Sequence, residues 1–160
     1  MKELVTIAEK IAARLIERHE TIAVAESSTG GLISAALLAV PGASAYFLGG
    51  GVIYTRDARR ILMDIPDEAM KGIRSASQPY ARLLAGQIRK RFATNWGLSE
   101  TGATGPTGNR YGDAAGHSCI GVAGDDQLAM TIETGSSDRV ANMQVFAEAA
   151  LNFLLQHLTR

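Results

Sequence analysis

The sequence is short of the residues that form disulfides and bind metals. Cys119 is its only cysteine in 160 residues, so an intrachain disulfide and a multi-cysteine metal site are excluded. His117 stands two positions before Cys119, and this pair supplies too few ligands for a metal. We therefore expect no metal and no cofactor. A single cysteine is also consistent with a reducing compartment, and we expect the protein to be cytoplasmic.

Net charge and long apolar runs are missing as well. Sixteen Lys and Arg residues balance sixteen Asp and Glu residues. A nucleic-acid-binding protein usually has a basic surplus or stripe, whereas the tight basic clusters here, at 56–60 and 89–91, are typical of solvated helix faces. No apolar run reaches the ~18 residues that span a membrane. Neither nucleic acid nor a membrane is expected as a partner.

The composition is that of a globular chain, with 46% hydrophobic and 20% charged residues. A domain of this length buries roughly 70% of the surface that its unfolded chain exposes. No internal repeat, low-complexity stretch or Pro- and Ser-rich linker divides the sequence. We therefore expect one domain over residues 1–160.

Helical and strand patterns alternate along the chain. Leu4, Ile7, Ile11 and Leu15 recur at helical spacing and predict a helix over 2–19, while the short apolar run 21–25 predicts a buried strand. Further helices are predicted over 30–40, 56–63, 77–92 and the C-terminal segment, and further strands over 45–54, 117–123 and 127–133. This alternation indicates an α/β fold, a three-layer α/β/α domain around a central mixed sheet.

Three segments combine glycine with serine or threonine where turns are expected, at 25–31, 41–54 and 101–108. One such segment alone is more often a capped or tight turn. Three in a small domain favour an anion-binding crevice, because N–H groups at helix starts and glycine turns point at negative charge. The third segment lacks the lysine of a P-loop, and no G-x-G-x-x-G follows the first strand, so an NTPase and a dinucleotide site are not predicted.

Other catalytic arrangements are less well supported. A Ser-His-Asp triad is not excluded by spacing, since triads assemble across a fold, but only His117 is near a candidate loop. Cys119 is more often a small buried hydrophobic residue than a nucleophile.

Four motifs carry a resemblance that covers essentially the whole chain. They are A-E-S-S-T-G-G at 25–31, V-P-G-A-S at 40–44, G-V-I-Y-T-R-D-A-R at 51–59 and T-G-A-T-G-P at 101–106. In order and spacing they resemble the CinA C-terminal domain family, whose characterised members hydrolyse nicotinamide mononucleotide to nicotinate mononucleotide and ammonia. The resemblance implies a nucleotide substrate and a homo-oligomer.

The resemblance also implies roles for individual residues. The family's serine nucleophile corresponds to Ser44, its catalytic lysine to Arg59, and further site residues to Tyr54 and Thr101. We expect these four residues to line one pocket. The resemblance and the glycine turns together imply the following substrate-binding residues: Glu26, Ser27, Thr29, Gly30, Gly31, Gly102, Gly105 and Arg139.

Arg59 is the main departure from the family pattern. Lysine can take the proton of a serine hydroxyl when burial lowers its pKa, whereas a guanidinium stays protonated. Glu26 is the nearest alternative base by family position. Two hypotheses follow: an amidase that uses another base, and a catalytically silent relative that binds a pyridine nucleotide or another anion. Ser44 is as well explained as a helix or turn cap as it is as a nucleophile.

Overall fold

The computed structural model describes residues 1–159, which contain five α-helices and five strands. The helices are α1 (Lys2–Arg18), α2 (Leu32–Leu38), α3 (Arg56–Met63), α4 (Gln78–Phe92) and α5 (Arg139–Leu158). The strands are β1 (Ile22–Glu26), β2 (Phe47–Val52), β3 (Trp96–Ala103), β4 (His117–Ala123) and β5 (Gln127–Glu133). Two short 3-10 helices cover Ala43–Ala45 and Asp67–Met70.

The five strands form one mixed sheet in the order β2-β1-β3-β4-β5. β1 is parallel to both β2 and β3, whereas β3, β4 and β5 are antiparallel to one another. Helices α1, α2 and α5 cover one face, and α3 and α4 cover the other. The predicted three-layer α/β/α fold with a mixed sheet is confirmed.

The strand β1 lies at the centre of the domain and is buried on both faces. Ile22 and Val24 pack into the core formed with α1, α2 and α5, while Ala23 and Ala25 pack against α4. This alternation is the two-residue period of a strand. The small alanines let α4 approach the sheet, and the larger side chains fill the space beneath three helices.

The helix starts follow from capping side chains. The hydroxyl of Thr55 accepts from the N–H of Ala58 at 3.0 Å and begins α3. Asp138 accepts from Ala141 at 3.1 Å and begins α5, and the expected cap at Ser77 accepts from Tyr80. Such caps satisfy N–H groups that have no partner inside a helix.

The strand β3 was not predicted, and this changes how the third glycine-rich segment is understood. Thr101, Gly102 and Ala103 are the last residues of β3, paired with β4, and not part of a turn. The sequence of β3, WGLSETGA, has few β-branched residues and buries Ser99, Glu100 and Thr101. Its pattern therefore lacks the apolar alternation that marks a strand.

The strand β2 is shorter than expected and lies at an edge of the sheet. Its pairing with β1 contains a bulge, because Ile22 pairs with Phe47 and the next residue, Ala23, pairs with Gly49. A Cβ at Gly50 would overlap the carbonyl oxygen of Val24, and one at Gly49 would come within 2.7 Å of the Phe92 ring. These glycines allow the close packing of β2 on β1 and α4.

No helix within residues 1–159 has the length and apolar character needed to cross a membrane. Over the same residues there is no group of three or more His, Cys, Asp or Glu side chains arranged to hold a metal ion.

Candidate functional site

A cavity of about 560 Å³ opens where β1, β2 and β3 reach their carboxyl ends. This edge of an open α/β sheet is where such folds usually bind ligands. Residues from the β1–α2 turn, the segment after β2, α3, the segments 67–76 and 109–111 and the end of β3 line it. Arg56, Arg59 and Arg110 outnumber the one lining acid, Asp67, so the cavity suits an anion.

Five of the residues predicted from the motifs line this cavity. They are Ser27, Tyr54, Arg59, Thr101 and Gly102. They come from separate parts of the chain, and the parallel pairing of β1 with β2 and β3 brings them together.

Ser44 does not line the cavity, contrary to the expectation that it would share a pocket with Thr101. It is exposed in the 3-10 turn Ala43–Ala45, just before the amino end of β2. Both Phe47 and Trp96 pair with Ile22, so β2 and β3 start at the same edge of the sheet. Thr101 lies five residues further along β3, and at ~3.3 Å per residue the two hydroxyls are on the order of 15 Å apart.

Glu26 is buried and caps the helix α2. One carboxylate oxygen accepts from the N–H groups of Gly31 at 2.8 Å and Ile33 at 3.1 Å, and from the Thr29 hydroxyl at 2.7 Å. The other accepts from the N–H and the hydroxyl of Ser34. The residues Glu26, Thr29, Gly30 and Gly31 therefore form a helix start and do not line the cavity. Glu26 is too fully hydrogen-bonded to serve as the alternative base.

Glu100, which no sequence motif indicates as a site residue, fixes the turn that carries Ser27. It accepts from the N–H groups of Ser27 at 3.2 Å and Thr29 at 2.9 Å, and it contacts the hydroxyls of Ser28 at 2.5 Å and Ser118 at 3.0 Å. Burial raises the pKa of this carboxyl more than these hydrogen bonds lower it. A charged residue inside a strand sequence is the only signal that could have indicated this role.

Arg59 is buried, and Nη2 lies 2.7 Å from Oδ1 of Asp67. Its Nε makes no hydrogen bond within residues 1–159. Burial raises the pKa of the neighbouring Tyr80, and the Arg59 charge opposes that rise. Arg59 therefore brings a paired, permanent cation to the wall of the cavity.

Two hydroxyls face the cavity from the strand ends. Thr101 Oγ1 accepts from the N–H of Ala76 at 3.0 Å, so its own proton remains for a ligand. The Ser27 hydroxyl makes no hydrogen bond within residues 1–159, and its backbone N–H is held by Glu100.

The loop between β3 and β4 forms the outer wall. Asp113 accepts from Arg74 at 2.6 and 3.2 Å and from the side chain of Asn109 at 2.8 Å, which ties the loop to the segment before α4. Tyr111 accepts from Arg110 at 3.1 Å and lies under the guanidinium of Arg74. The hydrogen bond from Arg110 lowers the pKa of Tyr111.

Arg139 and Gly105 lie beside the cavity without lining it. One guanidinium nitrogen of Arg139 donates to the carbonyl of Gly105, and the other donates to the Tyr54 hydroxyl at 3.2 Å. Arg139 therefore joins the start of α5 to a residue of the cavity wall.

His117 and Cys119 are not arranged for catalysis. The ring nitrogens of His117 contact Glu133 at 2.5 Å and the carbonyl of Ala76 at 2.7 Å. Burial lowers the pKa of His117, but these hydrogen bonds and Asp113 outweigh it and raise the pKa. Both ring nitrogens of His117 are therefore engaged by partners within the protein. Burial raises the pKa of the Cys119 thiol, which fits its place among buried residues.

Comparison with known proteins agrees with the motifs. The family model for the CinA C-terminal domain matches residues 4–158. A CinA-like protein of Gloeobacter violaceus is 36% identical over 155 residues, which is 96% of this chain and 36% of that protein. One from Chlorobium limicola is 36% identical over 151 residues, 91% of this chain and 35% of that protein. The chain thus spans about a third of the length of these relatives.

Solved structures share the fold. The competence/damage inducible protein CihA of Agrobacterium tumefaciens superposes with a TM-score of 0.90 at 26% identity, covering 99% of this chain and 96% of the other. A competence damage-inducible protein A of Klebsiella pneumoniae superposes with a TM-score of 0.92 at 22% identity, covering 98% of each chain.

Proposed function

Because the chain belongs to the CinA C-terminal domain family, we propose that it hydrolyses the carboxamide of nicotinamide mononucleotide, releasing nicotinate mononucleotide and ammonia. The observation that carries this proposal is the cavity itself, about 560 Å³ in volume and lined by three arginines, three tyrosines and the hydroxyls of Ser27 and Thr101. Ligand pockets for small molecules usually measure 300–1,000 Å³.

The arginines would bind the phosphate. Arg56 and Arg110 line the cavity from two different elements, α3 and the β3–β4 loop. A guanidinium presents paired donors that match phosphate oxygens. Tyr54 and Tyr111, both partly exposed in the cavity wall, offer ring faces to a pyridinium ring.

In the proposed reaction a serine oxygen attacks the carboxamide carbon, and the C–N bond breaks as the nitrogen gains a proton and leaves as ammonia. Water then attacks the acyl-serine and releases the acid. The family pattern places the nucleophile at Ser44, which lies outside this cavity within one chain. Ser27 is the alternative, because two serines line the cavity, Ser27 and Ser75, and Ser75 is hydrogen-bonded to Tyr111.

The proton of the attacking serine needs an acceptor. No lysine or histidine lines the cavity, and Arg59 stays protonated. We propose Tyr111, whose pKa is lowered by the hydrogen bond from Arg110. Arg59 would then stabilise the negative charge that develops on the carboxamide oxygen.

The second candidate is a relative that binds a pyridine nucleotide without hydrolysing it. It is favoured by one observation: Arg59, at the position of the family's catalytic lysine, is neutralised by Asp67 at 2.7 Å. In this case the cavity would act as a nucleotide sensor. For both candidates we propose the cytoplasm as the compartment, where the buried thiol of Cys119 stays reduced.

The two candidates are separated by ammonia release and calorimetry with the same ligands. Nicotinamide mononucleotide should bind and release ammonia, and nicotinate mononucleotide should bind as the product. Nicotinamide riboside, which lacks the phosphate, serves as the control and should bind weakly. Binding without ammonia release would establish the sensor, and absence of binding by both nucleotides would overturn both candidates.

A further inference from the structure

Ala76, in the wall of the candidate cavity, has a backbone conformation that alanine rarely adopts. It is buried, and its φ of 56° lies in the left-handed region. Within residues 1–159, the other non-glycine residues with positive φ each cap the end of a helix, where this conformation is common: His19, Asp64 and Ala93. Ala76 ends no helix, and it has no polar side chain that could hydrogen-bond to its own backbone. Its surroundings must therefore hold it in this conformation.

Both backbone polar groups of Ala76 have partners. Its N–H donates to Oγ1 of Thr101 at 3.0 Å, and its carbonyl oxygen accepts from Nε2 of His117 at 2.7 Å. The other contacts of this carbonyl are longer, 3.5 Å from Arg74 and 3.6 Å from the thiol of Cys119. A carbonyl oxygen only accepts, so Nε2 of His117 carries a proton. His117 therefore supplies the one short hydrogen bond on the carbonyl side of Ala76.

His117 is itself held in place from two sides. It is the first residue of β4, is 6% exposed, and pairs with Ala103 on β3 and Glu133 on β5. Its Nδ1 lies 2.5 Å from Oε1 of Glu133, so a proton lies between these two atoms. A partner at one ring nitrogen sets what the other nitrogen can do. The contact with Glu133 thus fixes the ring with Nε2 directed at Ala76.

The same ring nitrogen also faces the loop that forms the outer wall of the cavity. Nε2 of His117 lies 3.6 Å from Oδ2 of Asp113, which in turn accepts from Arg74 at 2.6 Å. This loop carries Arg110 and Tyr111, both of which line the cavity. His117 therefore lies where the segment before α4 meets the β3–β4 loop.

The conformation of Ala76 decides what the hydroxyl of Thr101 can offer to a ligand. Because the N–H of Ala76 donates to Oγ1, the proton of Thr101 is left for a ligand. If Ala76 left the left-handed region, the peptide groups on both sides of it would rotate. Its N–H would then turn away from Thr101, whose hydroxyl would no longer be fixed. The cavity would lose an oriented donor at the end of β3.

We infer that His117 is a positioning residue: by donating to the carbonyl of Ala76 it keeps this residue in the left-handed conformation, and it thereby fixes the hydroxyl of Thr101 in the cavity. His117 does not line the cavity itself. The effect of His117 on turnover rests on the proposed function, whereas its effect on Ala76 does not.

Backbone hydrogen exchange, followed by NMR, tests this positioning directly. The N–H of Ala76 should exchange slowly in the wild type, because it is buried and hydrogen-bonded. His117→Phe keeps a ring and removes the donor, so exchange at Ala76 should be ~10-fold faster, as expected for the loss of one hydrogen bond. His117→Gln, whose amide can still donate, should give an intermediate rate. The N–H of Trp96, bonded to Thr21 at the opposite end of β3, should be unchanged and reports that the fold is intact.

Ala76→Gly separates positioning from a general loss of stability. Glycine adopts the left-handed conformation without the steric cost of a Cβ, so residue 76 should then depend less on His117. Adding Ala76→Gly to His117→Phe should restore part of the slow exchange at position 76. Ala93→Gly is the matched control, because Ala93 also has a positive φ but caps α4. It removes the same kind of strain away from His117 and should restore nothing.

Turnover should follow the same order. With nicotinamide mononucleotide as substrate, His117→Phe should lower kcat/KM ~10-fold, and Ala76→Gly should recover part of the loss, whereas Ala93→Gly should not. Unchanged exchange at Ala76 in His117→Phe, or equal recovery with the two glycine substitutions, would overturn the inference.

The two measurements also distinguish this inference from the proposed function. If no form of the protein released ammonia while exchange at Ala76 changed as expected, the amidase would be contradicted and the positioning role would stand. If the wild type released ammonia while His117→Phe left exchange at Ala76 unchanged, the positioning role would be contradicted and the amidase would stand.

Discussion

The guanidinium of Arg59 is held by Asp67, with Nη2 and Oδ1 2.7 Å apart, at the wall of the candidate cavity. Asp67 belongs to the short 3-10 helix that follows α3, and Arg60 also reaches it, at 3.7 Å. The position that we propose to correspond to the family's catalytic lysine is therefore occupied by a cation that already has an anionic partner. Any test of this position has to consider both members of the pair.

Arg59→Lys should create or raise amidase activity, since an amine can lose the proton that a guanidinium keeps. Asp67 would hold the new ammonium in its charged form, so the single variant should gain little. Arg59→Lys with Asp67→Asn should gain more, toward the ~10²- to 10⁴-fold that general-base catalysis supplies. The rate of ammonia release measures the amidase activity of each variant. Arg14→Lys, on the exposed face of α1, is the control and should leave that rate unchanged. An inactive double variant would show that more than the base is missing.

Tyr111→Phe should remove the proposed proton acceptor and lower the turnover number by ~10²-fold or more. The acceptor works as the phenolate, so wild-type activity should rise with pH through a pKa that lies below the usual 10.0. In Tyr111→Phe that rise should vanish, while nicotinate mononucleotide binds as before. Tyr80→Phe, altering another lining tyrosine whose pKa is raised, is the matched control. If Tyr111→Phe had the same pH profile of activity as the wild type, Tyr111 would be excluded as the proton acceptor.

Glu100→Gln should change the pH dependence of stability. The folded-state pKa of Glu100 is raised above its ordinary 4.5, so the wild type loses stability as pH rises from about 4.5 toward the folded value. Glutamine cannot ionise, and its amide can donate to Ser28 and Ser118 as the protonated acid would. Urea unfolding should therefore show that the free energy of unfolding of the variant, relative to that of the wild type, is higher at about pH 8 than at about pH 5. If the difference in unfolding free energy between variant and wild type were the same at both pH values, Glu100 would be charged at both.

Glu26→Gln is the contrasting substitution for that experiment. Glu26 accepts five hydrogen bonds as a cap on α2, and its loss of charge weakens several of them at once. We expect a stability loss of about 1–3 kcal/mol at neutral pH.

Gly50→Ala should destabilise the fold by about 1–3 kcal/mol, because the new methyl group would overlap the Val24 carbonyl and push β2 from β1. Gly51→Ala is the matched control, since its Cβ would meet only side chains at ordinary contact distance, 3.4 Å. Thermal unfolding of the two variants measures the difference. Equal melting temperatures would mean that β2 can shift away from β1 without a loss of stability.

The layered fold could be predicted from the sequence because the apolar residues of most elements recur with the period of either a helix or a strand. The strands 117–123 and 127–133 and the helix 56–63 have the predicted bounds. β3 was missed because its polar residues, Ser99, Glu100 and Thr101, are stabilised by partners that no local pattern reveals. Tertiary hydrogen bonds override local propensity there.

The site was predicted in part for a similar reason. Motifs name residues, but only the pairing of strands decides at which end of the sheet each one lies. Thr101, near the end of β3, and Tyr54, just after β2, line the same cavity, whereas Ser44 precedes β2 and does not line it. The segment 25–31 was expected to bind an anion because helix starts attract negative charge, and the protein's own Glu26 carboxylate already occupies that place.

This occupied helix start limits how ligand preference can change in descendants of this chain. With the N–H groups of α2 already satisfied by Glu26, an incoming anion has to be recognised by side chains, chiefly arginines on α3 and on the β3–β4 loop. Side chains can be exchanged one at a time without disturbing the helix or the sheet beneath them. The scaffold therefore stays constant while the chemistry of its ligand is free to diverge.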